Sequence, residues 1–209
     1  MSDSRQFSHD DVQVLGRELL SGGFLKVYRY RLKHRLFRGG WSPELSRELV
    51  VRHGASCLLP YDPVRDELVL VEQFRVGALG SPRSPWLLEL VAGIHDDDCT
   101  PEGVAMREAR EEAGLEVTDL LPICEFQASP GGMAEHVYLY CGRVDTTHAG
   151  GIHGLADEGE DIRVHVYSRE EAYGMLQRGE LDNAPVIIGI QWLMLNIDRV
   201  RDAWLGEAR

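Results

Sequence analysis

Apolar and polar residues alternate along LKVYRYRL, residues 25–32, at the two-residue period of a β-strand. SRELVVRHGASCLLPYD, 46–62, gives a second extended stretch. DPVRDE, 62–67, has turn chemistry, and LVLVEQFR, 68–75, returns as a strand, which predicts a hairpin. PWLLELVAG, 85–93, is an apolar strand ending in glycine. Thr100 stands where an N-cap belongs and Pro101 at the first helical position, so 101–113 predicts a helix that Gly114 stops. DLLPICEFQAS, 119–129, and AEHVYLYCGRV, 134–144, predict strands around an SPGGM turn. GGIHGLADEGED, 150–161, predicts a glycine-containing acidic loop, and IRVHVYS, 162–168, alternates as a strand. Ser168 and Glu171 form a capping-box pair for a short helix, and NAPVIIGIQWLMLNIDRV, from 183, predicts a last one. Strands, helix, strands, helix, helix is the order of an α+β fold with helices packed on a mixed sheet. An all-β segment, 1–50, precedes the main domain, 51–209.

Composition narrows the function. The 209 residues are 44% hydrophobic, enough for one good-sized core with an appendage. A net charge of -12 disfavours nucleic acid and anionic membrane surfaces, which need clustered Lys and Arg. An acidic chain still binds phosphates when metal ions bridge the two negative partners. Cys57, Cys99, Cys124 and Cys141 form no C-x-x-C pair, so a zinc ribbon is not expected, and reduced thiols point to the cytoplasm. MSDSRQFSHDD has no apolar signal region, and the run at 186–197 is too short to span a bilayer.

The chemistry concentrates in GIHDDDCTPEGVAMREAREEAGL, 93–115. Glu108 and Glu112 are four apart, which places them on one helix face with Cβ atoms about 5–6 Å from each other. Glu111 flanks that face, and Arg107 is spaced to reach it. An E-x-x-E-E triple by itself describes a solvated acidic face. Three features argue otherwise: entry from an apolar strand, Gly93 at the junction, and a second acidic cluster, Asp157, Glu158, Glu160 and Asp161. Hard cations such as Mg²⁺ take oxygen ligands of this kind and keep substrate phosphates in their shell. Asp96, Asp97 and Asp98 read as a solvated turn. His153 reads as a loop histidine satisfied by backbone groups.

The stretch resembles the Nudix box, G-x5-E-x7-R-E-U-x-E-E-x-G-U with U apolar. Gly93, Arg107, Glu108, Ala109, Glu111, Glu112, Gly114 and Leu115 match in register, and the first glutamate of the box falls on Cys99. RGGWSPELSRELVVRHG, LLPYDPVRDELVLVEQFR, PWLLELVAG, ASPGG and GIHGLADEGEDIRVHVYSREEAY are similar to the bacterial ADP-ribose pyrophosphatase branch of the Nudix hydrolases. The resemblance implies a Nudix fold, an α/β/α sandwich with a mixed sheet, behind a small N-terminal β domain. It also implies a homodimer whose substrate site draws on both chains.

By the same resemblance, Glu108, Glu112 and the backbone carbonyl of Ala92 hold Mg²⁺, two or three ions per site, with Mn²⁺ as a substitute. Glu111 supports the cluster. Glu160 completes it and Glu158 is the general base, although the sequence leaves these last two roles interchangeable. Phe24 stacks on adenine beside Leu25, and Arg47 and Glu48 of the partner chain bracket the base or ribose. Arg52 and Arg75 meet phosphates, Ser129, Pro130 and Gly131 contact the terminal ribose, and Glu135 bonds hydroxyls. Taken singly, Phe24 is an ordinary core or interface aromatic, and Arg47 and Arg52 are ordinary strand charges. Cys99 is a tolerated change, in which Arg107 turns to Glu111. The implied reaction is hydrolysis of ADP-ribose to AMP and ribose 5-phosphate. NADH, diadenosine polyphosphates and GDP-sugars are the alternative substrates, and a non-catalytic ADP-ribose sensor is the alternative class.

Overall fold

The structure, a computed structural model, describes residues 6–95 and 99–206 and leaves out the side chain of Glu158. The expected turn at Asp96, Asp97 and Asp98 lies outside the described residues. In chain order the elements are β1 (Val12–Gly22), β2 (Lys26–His34), β3 (Leu45–Val51), β4 (Ala55–Asp62), β5 (Glu67–Phe74), β6 (Trp86–Glu89), β7 (Val91–Ile94) and α1 (Pro101–Ala113). After them come β8 (Asp119–Gln127), β9 (Met133–Ala134), β10 (His136–Arg143), β11 (Gly151–His153), β12 (Ile162–Ser168), α2 (Arg169–Gln177) and α3 (Ala184–Leu205).

The chain divides into two compact units. The first comprises the residues up to 53 together with 127–135, and its sheet runs β1-β2-β3-β9. β1, β2 and β3 are antiparallel neighbours, and β9 adds in parallel through Val50↔Met133 and Val51↔Ala134. The second unit comprises 54–126 and 136 onwards, with the strand path β11-β12-β5-β4-β10-β8. Its sheet is mixed, because β10 runs parallel to β4 while β12 and β5 are antiparallel.

Two expected strands are divided. The stretch 46–62 breaks at 52–54, where one unit ends and the other begins. The stretch 85–93 breaks at Leu90: β6 pairs with β5, and β7 pairs with β4. The reason lies in the hairpin. β4 and β5 pair only next to their turn, at Tyr61↔Leu68 and Asp62↔Glu67, and the following chain fills the opening between them.

The sheet of the second unit separates two cores. Leu59, Leu68, Leu70, Leu90, Val186, Ile190 and Leu193 pack on the side of α2 and α3. Leu58, Val69, Val71, Val91, Ala105, Ala109 and Ala113 pack under α1. The alternation of β5 explains the split, since successive side chains leave a strand on opposite faces. Helices on both faces give the α/β/α sandwich. α3 is bent at Asn196 (φ -124°), whose amide donates to the Trp192 carbonyl at 2.8 Å.

The β4–β5 turn is fastened by two carboxylates. Asp66 holds a left-handed backbone (φ 58°), accepts from Tyr61 Oη at 2.7 Å and from Arg169 Nε at 2.8 Å, and so ties the turn to α2. Asp62 is buried and accepts from the Val64 and Arg65 amides at 2.9 and 3.1 Å, from Arg65 Nη1 at 2.8 Å and from Thr146 N at 3.1 Å. Burial alone would raise its pKa, but the donors from Thr146, Arg65 and Val64 outweigh burial and lower it from 3.8 to about 2. A folded-state pKa below the unfolded value contributes stability that is present above pH 3.8 and lost as pH falls through about 2. The size is about 2 kcal/mol. Urea unfolding at pH 5 and at pH 2 should therefore show wild type losing about 2 kcal/mol more than Asp62→Asn. Equal losses would remove Asp62 from the acid response.

Candidate active site

α1 brings the carboxylates to the sheet. Thr100 Oγ1 accepts from Gly103 N at 3.1 Å, Pro101 opens the helix, and Gly114 closes it in the left-handed region (φ 63°). Ala105, Ala109 and Ala113 turn small side chains to the strands, which lets the helix lie close to them. Glu112 shares this inward face and is only 2% exposed. Its Oε2 accepts from the Ala92 amide of β7 at 2.9 Å. Burial raises its pKa to about 8; the Ala92 amide and Arg75 pull it down, and the charges of Glu108 and Glu160 add to the rise.

Glu108 lies against β7 as well. A Cβ at Gly93 would overlap the Glu108 carboxylate, so the box glycine is the residue that leaves room for it. Burial raises the Glu108 pKa, Arg107 opposes the rise, and Glu111 and Glu160 reinforce it. Arg107 reaches Glu108 Oε1 at 2.9 Å, Glu111 Oε2 at 3.8 Å and Cys99 Sγ at 3.7 Å. The thiol therefore keeps company with the box arginine, and Arg107 turns to the neighbouring acids of its own helix.

The acidic loop folds back onto this helix. Gly154 N donates to the Glu111 carbonyl at 3.3 Å. Gly154 is left-handed (φ 97°), and a Cβ there would meet Glu160. Glu160 Oε2 accepts from Leu155 N at 3.0 Å, and its charge is felt by both Glu108 and Glu112. Glu158 ends a short 3-10 turn, Ala156–Glu158, and its side chain lies outside the described residues. His153 shares a hydrogen bond with the Gly150 carbonyl at 2.8 Å, the backbone-satisfied loop histidine expected.

Arg75 follows β5, and its Nε binds Glu89 Oε2 at 2.7 Å. Burial raises the Glu89 pKa and Arg75 opposes the rise. Sequence reasoning missed Glu89; the signal was available in PWLLELVAG, where it is a lone acid in an apolar strand.

This donor set suits a hard divalent cation. Glu108, Glu111, Glu112 and Glu160 offer carboxylate oxygens on one helix and one loop, and burial, reinforced by the neighbouring carboxylates, makes Glu108 and Glu112 resist ionising despite Arg107 and Arg75. Among the described residues no three acidic, histidine or cysteine side chains already close on a single point. The residues fit the ion by chemistry and by mutual electrostatic range.

The remaining expected site residues, Arg75 apart, all fall in the first unit. Phe24, in the β1–β2 turn, is 88% exposed, and Leu25 is exposed beside it. Arg47 Nη1 donates to the Ser46 carbonyl at 2.8 Å, and Glu48 pairs with Arg29 at 3.1 Å. Arg52 pairs with Glu135 at 3.1 Å. The turn Ser129-Pro130-Gly131 closes by Gly132 N and Met133 N donating to the Ser129 carbonyl at 3.1 and 2.9 Å. Val50 N donates to the Gly132 carbonyl at 2.9 Å, which stitches the turn to β3. The structure thus brings Arg52, Glu135 and the turn into one unit, although more than seventy residues separate them.

The NUDIX domain family matches residues 51–188. An ADP-ribose pyrophosphatase of Escherichia coli (strain K12) is 50% identical over 198 residues, covering 95% of each chain. An ADP-ribose pyrophosphatase of Haemophilus influenzae is 46% identical over 207 residues, covering 98% of this chain and 95% of the relative. A crystal structure of an ADP compounds hydrolase superposes with a TM-score of 0.68 at 18% identity, covering 91% of this chain and 98% of that one. This last likeness is one of fold.

Proposed function

The chain belongs to the Nudix hydrolases, and from that premise we propose that it hydrolyses the diphosphate of ADP-ribose to AMP and ribose 5-phosphate. The observation that carries the substrate is the 50% identity, end to end, with an enzyme of that activity. The carboxylate cluster of α1 and the acidic loop supports the reaction class.

Nudix hydrolases generally use a divalent metal. In this reading it is Mg²⁺, two or three ions, with Mn²⁺ able to substitute. Glu108, Glu112, Glu160 and the Ala92 carbonyl hold it, and Glu111 supports them. When bound, the metal supplies positive charge against the diphosphate and acidifies the attacking water. The chain's own residues do the rest. Glu158 takes the proton as water attacks phosphorus, the bridging P–O bond breaks, and the second phosphate leaves on its sugar. Arg75 and Arg52 donate to phosphate oxygens, where a guanidinium makes charge-assisted hydrogen bonds.

Phe24, Leu25, Arg47 and Glu48 receive the adenosine half from the partner chain of a homodimer, while Ser129, Pro130, Gly131 and Glu135 meet the terminal ribose. Val14, Leu15, Leu19 and Leu20 of β1 are exposed, and these apolar side chains support an interface there. A cytoplasmic location suits four cysteines that form no disulfide. No described helix is long and apolar enough to cross a membrane.

A substrate panel in Mg²⁺ tests the reading. ADP-ribose should be turned over in preference to NADH, diadenosine polyphosphates and GDP-mannose, with AMP and ribose 5-phosphate in equal amounts. Comparable turnover of GDP-mannose would overturn the substrate assignment. Binding of ADP-ribose with no AMP release would make the protein a sensor.

A further inference from the structure

β5 carries a buried amide whose donor has no partner among the described residues. Leu68 and Leu70 enter the core under α2 and α3, and Val69 and Val71 enter the core under α1. The ladder between β5 and β6 runs unshifted from Val71↔Glu89 to Phe74↔Trp86. The alternation therefore continues to the end of the strand. Glu72 takes the α2/α3 face, and its pairing with His165, two residues before Tyr167 of that core, at 2.9 Å agrees. Gln73 takes the α1 face. It is 6% exposed, and its Nε2 has no hydrogen-bond partner among the described residues.

An unpaired buried donor is a standing cost, and leucine would fill nearly the same volume without it. The surroundings say what the amide is for. On the same face Val71 lies behind Gln73, and across the ladder Val71 is paired with Glu89. Arg75, two residues beyond, binds Glu89 at 2.7 Å, and its charge lowers the pKa of buried Glu112. Gln73 thus stands where the apolar core gives way to the charged site. A second arginine or lysine there would add positive charge on the face that carries Glu112 and so work against a bound cation. A neutral amide donates a hydrogen bond without doing so.

We propose that Gln73 is a further binding residue of the diphosphate site, its Nε2 donating to a phosphate oxygen of the bound substrate alongside Arg75. The proposal rests on the diphosphate-hydrolase reading but not on the identity of the sugar or base. The test uses methylenediphosphonate with Mg²⁺, a bare diphosphate mimic that is not hydrolysed, on wild type, Gln73→Leu and Gln73→Glu. Calorimetry should show Gln73→Leu binding it roughly ten-fold or more weakly, the size of a hydrogen bond to a charged acceptor. Gln73→Glu, which turns an acceptor towards phosphate, should bind it more weakly still. The ligand-free melting temperature of Gln73→Leu should stay level or rise, because the orphaned donor is gone. Equal affinity in wild type and Gln73→Leu overturns the proposal and assigns the amide to a buried water. Affinity that falls together with melting temperature overturns it in favour of packing. A wild type that binds the mimic yet releases no AMP from ADP-ribose removes the substrate reading and leaves the Gln73 comparison standing. A wild type that binds no methylenediphosphonate removes both.

Discussion

Glu158→Gln is expected to lower turnover of ADP-ribose by about 10²–10⁴-fold while substrate still binds, the range that loss of a general base carries. Glutamine keeps the shape and hydrogen-bonding reach of glutamate but cannot take a proton from water. The other carboxylates are already engaged. Glu112 is buried on the Ala92 amide with its pKa raised to about 8, and Glu108 is paired with Arg107 at 2.9 Å. Glu111 also faces Arg107, and Glu160 is held by Leu155 N at 3.0 Å. Glu158 ends its 3-10 turn next to left-handed Gly159 (φ 74°). Single-turnover kinetics with ADP-ribose, beside a binding measurement, checks this. Unchanged turnover would move the base elsewhere, with Glu160 or Glu111 next in line.

The second large effect is thermal. Millimolar Mg²⁺ should raise the melting temperature of wild type by about 5–10 °C, the shift for a ligand at a hundred times its dissociation constant on a domain this size. Glu112→Gln should show much less of it. The variant keeps the side-chain volume and an oxygen for the Ala92 amide, so its metal-free fold is preserved. What it loses is the charge that a cation would meet. Scanning calorimetry with and without Mg²⁺ reads this without reference to activity. An equal shift in both proteins would take Glu112 out of the metal site.

Much of the site was legible because its signals are local. The helix at 101–113 follows from Thr100, Pro101 and Gly114 within one short stretch, and the structure shows that span. The i, i+4 spacing of Glu108 and Glu112 needs only the helical repeat. The strands were harder. PWLLELVAG carries one continuous apolar pattern, yet it divides at Leu90, because the pairing partner changes from β5 to β4 there. Nothing within the segment records that change. Gln73 was invisible for a related reason: within the expected strand 68–75 it reads as an ordinary polar position, and only the ladder with β6 and its burial set it on the α1 face.

The sequence by itself determined the α+β class, the capped helix with its carboxylates, the glycine that admits Glu108 and the acidic loop. Each depends on neighbours a few residues apart or on a fixed spacing along one element. Only the tertiary structure decided that Glu112 is the buried member of the cluster, that Glu89 holds Arg75, and that residues 127–135 join the first unit to place Glu135 on Arg52. Those facts are set by strand register and burial between distant segments. Register is a collective property of a whole ladder of hydrogen bonds, and a shift of one residue in β6 would turn Glu89 to the opposite face.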